Sequence, residues 1–175
     1  MDLWIKTVLI MTLIVLAIIN DLQNYKVRNE ITLTFAIIGI VYNISFYGIH
    51  NFYTTVLGLI VPFLILLPLY AARMLGAGDI KLYCSIGAFI GLKLILMSIA
   101  YSFFAGAIIA LVIMIIRKNA FLRFKYFFTY IKCCLLCMKV MPYADLTEKQ
   151  DGTKMHFTIP IAIGTIYIVI NNLHL

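Results

Sequence analysis

Two aspartates stand out in a sequence with little room for charge. Asp21 closes the first apolar run in "AIINDLQNYKVRN", and Asp79 opens a later one in "LGAGDIKLY", behind Gly76 and Gly78 and ahead of Lys81. A carboxylate at the edge of hydrocarbon is expensive, and such groups usually face a partner or a water-filled cavity. Two carboxyls brought together cannot both ionise cheaply, so the pair shares a proton. The ionised member can take a proton from a water that attacks a peptide carbonyl. The protonated member can donate to the carbonyl oxygen and later assist the leaving amine. That chemistry needs neither a metal nor a covalent nucleophile. Each acid also has a plain structural reading: Asp21 as the start of a polar loop, and Asp79 as a helix cap. Gly76 and Gly78 offer positive φ angles and close backbone approach, and an ordinary turn uses glycines for the same reasons.

Other chemistries find little support. His50, His156 and His174 are scattered, and no serine lies in a nucleophile elbow. The glycines before Asp79 have neither Walker spacing nor a strand context. Cys133, Cys134 and Cys137 cluster as "CCLLC" while Cys84 stands apart. No paired CxxC or nearby histidine completes a zinc set, so the cysteines read as reduced thiols. No cofactor and no metal is expected.

The elements that must position the acids are membrane helices. The 175 residues are 64% hydrophobic and 12% charged, with a mean hydropathy of +1.05. An average soluble domain carries about 25% charged residues. The whole chain, 1–175, therefore reads as a single membrane domain, all-α and polytopic. Its first apolar run opens with Asp2 rather than a basic cluster, and no small-x-small cleavage site follows, so it is expected to be retained as a span. Six candidate spans follow along the chain: 3–20, 31–49, 52–72, 80–92, 94–116 and 157–170. The apolar run around the fourth and fifth is too long for one ordinary crossing, and a turn in "IGLK" is expected to divide it.

With six spans and the N-terminus outside, all of the 14 lysines and arginines except Lys6 and Lys93 fall at or beside the inner face. Lys81 reaches that face by snorkelling. The net charge of +7 then reads as attraction to anionic membrane lipids, not to nucleic acid. Both acids emerge on the same inner side. Residues 117–156 are expected to form a cytoplasmic-face segment. In it Lys118, Lys125, Lys132 and Lys139 recur at seven-residue spacing, as in an amphipathic helix lying on the membrane. A seventh span over 120–140 would bury several of these cations. The polar stretch after it, with Asp145, Glu148 and Asp151, reads as a solvated loop.

The motif order resembles the type IV prepilin peptidase family, polytopic GxGD-type aspartic proteases related to archaeal preflagellin peptidases. "GAGDIK" matches its second motif through Gly76, Gly78, Asp79 and Lys81. Asp21 stands where the first catalytic acid is found, followed by Val27 and Asn29, although Arg28 replaces the family's proline. "HFTIPIAIG" resembles, more loosely, the start of the family's last span through Pro160 and Gly164. The resemblance implies an endopeptidase of the inner (cytoplasmic) membrane with its active site facing the cytoplasm. Its substrates would be prepilins or pseudopilins, cut between a short basic leader and a hydrophobic helix. Asp21 and Asp79 would be the catalytic pair, with Gly76, Gly78, Lys81, Asn29 and Pro160 as active-site loop or substrate-binding residues. Many members carry an N-terminal methyltransferase part with paired CxxC motifs. This chain begins at its first span, so the expectation is peptidase activity without methyl transfer.

The rival reading is a small ion-coupled transporter in which Asp21 and Asp79 bind a cation or relay protons. Pro62 and Pro68 within the third run favour it, since transport sites sit between broken helices. Placement of both acids at one face opposes it, since those sites lie near the midplane.

Overall fold

The computed structural model describes residues 2–24, 28–48, 51–116, 129 and 156–173. Among these the elements are α1 (Asp2–Asn24), α2 (Asn29–Tyr47), α3 (Phe52–Ala71), α4 (Ala77–Ile116) and α5 (Thr158–Leu173), with no strand. Helices are what hydrocarbon permits, because each backbone N–H and C=O must be satisfied within its own segment. The first four are long and apolar enough to cross a membrane. The fifth has 16 residues, about 24 Å, against a hydrocarbon core of about 30 Å. Large apolar side chains such as Phe63, Phe104 and Ile115 face outward, as lipid-facing residues do. Small hydroxyl side chains (Thr55, Ser98, Ser102, Thr165) lie inside. The chain is a multi-pass membrane protein.

The centre of the bundle is α4. A straight helix of its 40 residues would extend about 60 Å, twice the hydrocarbon thickness. It reverses at Gly91, whose φ of 78° and ψ of 177° are not helical. Ile95 Cγ1 lies 3.3 Å from where a Gly87 Cβ would sit, whereas residues so spaced along a continuous helix are about 12 Å apart. The turn expected in "IGLK" is therefore real, and only glycine takes this backbone conformation freely. The reversal leaves the carbonyls at the end of the first arm, 77–90, without donors from a following turn. Asn43, buried on α2, meets two of them: its Nδ2 donates to Ala88 O at 2.6 Å and Phe89 O at 3.2 Å.

The second arm, 92–116, returns toward the start of the first, and the other helices pack around both. Tyr83, Ile86 and Ile95 of α4 are fully buried against Leu13 and Ala17 of α1, Leu66 of α3 and Ile161 of α5. Backbone meets backbone where α3 crosses α4, since a Cβ at Gly58 or Gly87 would strike the other's carbonyl oxygen. Small residues of this kind let membrane helices approach closely. Gly164 of α5 abuts Ser102 in the same way, and the Ser98 and Thr165 hydroxyls pair at 2.9 Å. Pro62 and Pro68 lie inside α3, yet the helix is continuous from Phe52 to Ala71, so the expected interruption of the third span is absent. The amphipathic segment 117–156, apart from Thr129 and His156, lies outside the described residues, as do "CCLLC" and the acidic loop.

Replacing Gly87 with Ala is expected to destabilise the bundle by about 3 kcal/mol or more, because the new methyl group meets main chain that cannot move aside. Gly48 also has positive φ, but nothing lies within 4 Å of its Cβ position, so Gly48→Ala should cost about 1 kcal/mol. Thermal unfolding of both variants in one detergent checks the ranking, and equal losses would refute the close approach of α3 and α4.

Candidate active site

The last turns of α1 and α3 and the first turns of α4 and α5 meet at one end of the bundle. They enclose a cavity of about 1010 Å³ whose lining includes Asp21, Asp79, Gly76, Arg73 and His156. Apolar walls come from Leu75, Phe103 and Phe157, and the last two rings pack 5.5 Å apart. The second arm of α4 supplies a further wall through Gly106, Ala107 and Ala110. Reversal at Gly91 is what returns that arm to the acids.

Asp79 is placed by the start of its helix. Because α4 begins at Ala77, Gly76 is the N-cap and Asp79 the third helical residue. The Gly76 N–H donates to Asp79 Oδ2 at 3.3 Å, and the Asp79 N–H donates to Gly76 O at 3.2 Å. This is the reach-back half of a capping box. A Cβ on Gly76 would stand 3.0 Å from Asp79 Oδ2, so glycine is needed here for closeness to the carboxylate. Neither Gly76 nor Gly78 has positive φ, contrary to expectation; in this connection the left-handed residue is Arg73, φ 55°. Arg73 closes α3 in a Schellman arrangement, its N–H bonded to Tyr70 O at 2.9 Å and the Met74 N–H to Leu69 O at 3.0 Å. An arginine in the place glycine usually fills carries a steric cost, and it brings a cation to the cavity.

Asp21 is placed by α5. Its Oδ2 accepts a hydrogen bond from Thr158 Oγ1 at 2.7 Å and lies 3.1 Å from His156 Nδ1. Thr158 is the first residue of α5 and is almost wholly buried. The two carboxyl groups are close enough for their charges to interact. Among the described residues, Oδ2 of each acid is held by a hydrogen bond.

The remaining residues singled out in the sequence lie nearby but outside this cavity. Lys81 Nζ donates to Asn29 Oδ1 at 2.8 Å, and the pair borders a separate depression with Leu33 and Cys84. Together with the 2.6 Å bond from Ser85 Oγ to Thr32 O, it fastens the start of α2 to the first turns of α4. Gly78 is half-buried in the first turn of α4. Pro160 packs by Gly106, 3.5 Å from its Cβ position, behind the cavity wall. His156 and Thr158 were not anticipated as site residues. Their one sequence signal is polarity at the edge of the last apolar run, on the side where the charge pattern puts both acids.

A multi-pass helical membrane protein with two carboxyl groups in one cavity at its end is the class that fold and site define. The sequence matches the type IV leader peptidase family over residues 7–111, and the chain belongs to that family. It is accordingly a peptidase. No curated protein and no solved structure matches the chain. The family match runs from α1 into the second arm of α4 and contains both acids; α5, with Thr158, lies beyond it.

Thr158→Val keeps the side-chain shape but removes the hydroxyl that Asp21 uses. It should cost about 2 kcal/mol, the worth of a hydrogen bond to a charged group, whereas Thr158→Ser should cost much less. Thermal unfolding compares them, and equal destabilisation would deny the hydroxyl its role.

Proposed function

We propose that the chain is an aspartic endopeptidase that removes the short basic leader from type IV prepilins or pilin-like proteins. The observation that carries this reading is the meeting of Asp21 and Asp79, remote in sequence, in one cavity of a leader-peptidase family member. In it, Asp21 acts as the base, its carboxyl held by the Thr158 hydroxyl. It takes a proton from a water held between the acids, and the water oxygen bonds to the scissile carbonyl carbon. Asp79 gives its proton to the carbonyl oxygen. Collapse of the tetrahedral intermediate breaks the C–N bond as one of its hydroxyls returns a proton to Asp79, and the proton held on Asp21 passes to the departing amine.

The cavity's mixed lining suits such a substrate. Leu75, Phe103 and Phe157 in the lining offer apolar contact to the start of a hydrophobic helix, while Asp21, Asp79 and His156 offer polar groups to the peptide at the cleavage point. Gly76 and Gly78 shape the loop that presents Asp79, the Lys81–Asn29 bond braces the connection after Asp21, and Pro160 sets the start of α5. The chain would cross the inner membrane six times, counting both arms of α4, with its N-terminus outside and the acids at the cytoplasmic face. The basic segment 117–156 would rest on anionic lipids of that leaflet. The transport reading gains nothing from α3, which is unbroken.

Co-expression with a prepilin-like substrate tests the proposal. Asp21→Asn and Asp79→Asn should each slow leader removal at least about 100-fold while the membrane level of the protein holds. Gel mobility and N-terminal sequencing of the pilin report cleavage. Processing that survives in either variant rules out the paired-acid mechanism.

A further inference from the structure

At the end of the bundle opposite the acids lies a second cavity, of about 680 Å³, where α2 ends, α3 begins and α4 reverses. Lys6, from the first turns of α1, and Lys93, just past the reversal, both line it. These are the two cations that the charge pattern leaves off the acid-bearing side, and the fold brings them to one place. Among the described residues no aspartate or glutamate lines this cavity. Lys6 Nζ stands 5.6 Å from the Tyr47 ring centroid, a contact that attracts the cation without neutralising it. Asn51 adds a carboxamide donor at the rim, and Ile90, Leu92 and Leu96 give the cavity an apolar side. Two ammonium groups facing one space, with no carboxylate among its described lining residues, raise the local potential and favour an anion there.

The surroundings indicate which anion. Trp4 and Tyr53 are 70% and 71% exposed at this same end, with Phe46 and Phe52 also outward. Such aromatics mark the level of lipid headgroups. The cavity therefore opens at the depth where phosphates are anchored, its cations toward the headgroup and its apolar side toward the acyl chains. We infer that this cavity binds the phosphate of an anionic phospholipid headgroup, in the leaflet opposite the catalytic acids. The site is independent of the peptidase reading, and its test does not use cleavage.

The full chain, purified and placed in phosphatidylcholine nanodiscs doped with phosphatidylglycerol, is examined by native mass spectrometry and thermal unfolding. The wild type should retain phosphatidylglycerol and unfold at a higher temperature than in phosphatidylcholine alone. In the double variant Lys6→Gln, Lys93→Gln, retention should weaken about thirtyfold, the effect of losing two cations near a membrane surface. The double variant Lys6→Arg, Lys93→Arg should bind as the wild type does, which separates lost charge from lost folding. Unchanged retention in the Lys6, Lys93 glutamine variant overturns the site. An equal stabilisation by inorganic phosphate in phosphatidylcholine alone overturns the lipid as its occupant.

Discussion

The bundle depends on the reversal of α4 at Gly91. A helix end within or near hydrocarbon leaves carbonyl groups that must find donors in protein. Asn43 answers that need at Ala88 and Phe89, so α2 is bound to the turn for the same reason that the turn can exist. The two arms of α4 then form the surface on which α3 and α5 dock, at Gly58–Gly87 and at Gly164–Ser102. The acid cavity is a product of this hairpin. Its first arm presents Asp79, its second arm lines the opposite wall, and its flank seats the helix that holds Asp21.

Both acids have a structural duty beside the chemical one proposed for them. Asp79 caps α4, and Asp21 receives the first residue of α5. A cap usually argues against a catalytic role, since it accounts for a carboxylate without further purpose. Here the cap occupies Oδ2, and the cavity adjoins the same group. Holding each carboxylate by one oxygen limits its rotation, and that restraint is what a reaction between two fixed groups requires.

Much of the architecture was legible because apolar runs in a membrane chain have few alternatives to helix. Gly91 could be read as a turn because "IGLK" interrupts a run too long for one crossing. The placement of Asp21 and Asp79 at one end followed from counting crossings between them. What escaped was tertiary. His156 and Thr158 reach Asp21 only because Gly164 lets α5 settle on Ser102, a fit with no local signature. Gly76 looked like a conformational glycine, yet it serves the approach of a carboxylate, and Arg73 takes the left-handed position instead. Lys81 and Asn29 were read as neighbours of the acids, and they face each other in a different depression. Proximity in a motif does not say which side of a helix a residue occupies.

The contact of α5 with both α1 and α4 has a consequence for the acids. Helix α1 lies along α5 more than along α4, while α5 is broadly packed on α4. Asp21 and Asp79 thus ride on helices that are also joined through a third, which bonds to Asp21 and packs on the helix of Asp79. A displaced α5 would carry strain to the Asp21 carboxylate through the Thr158 bond. The seat of a glycine on a serine, some way along the last helix, therefore bears on where that carboxylate stands.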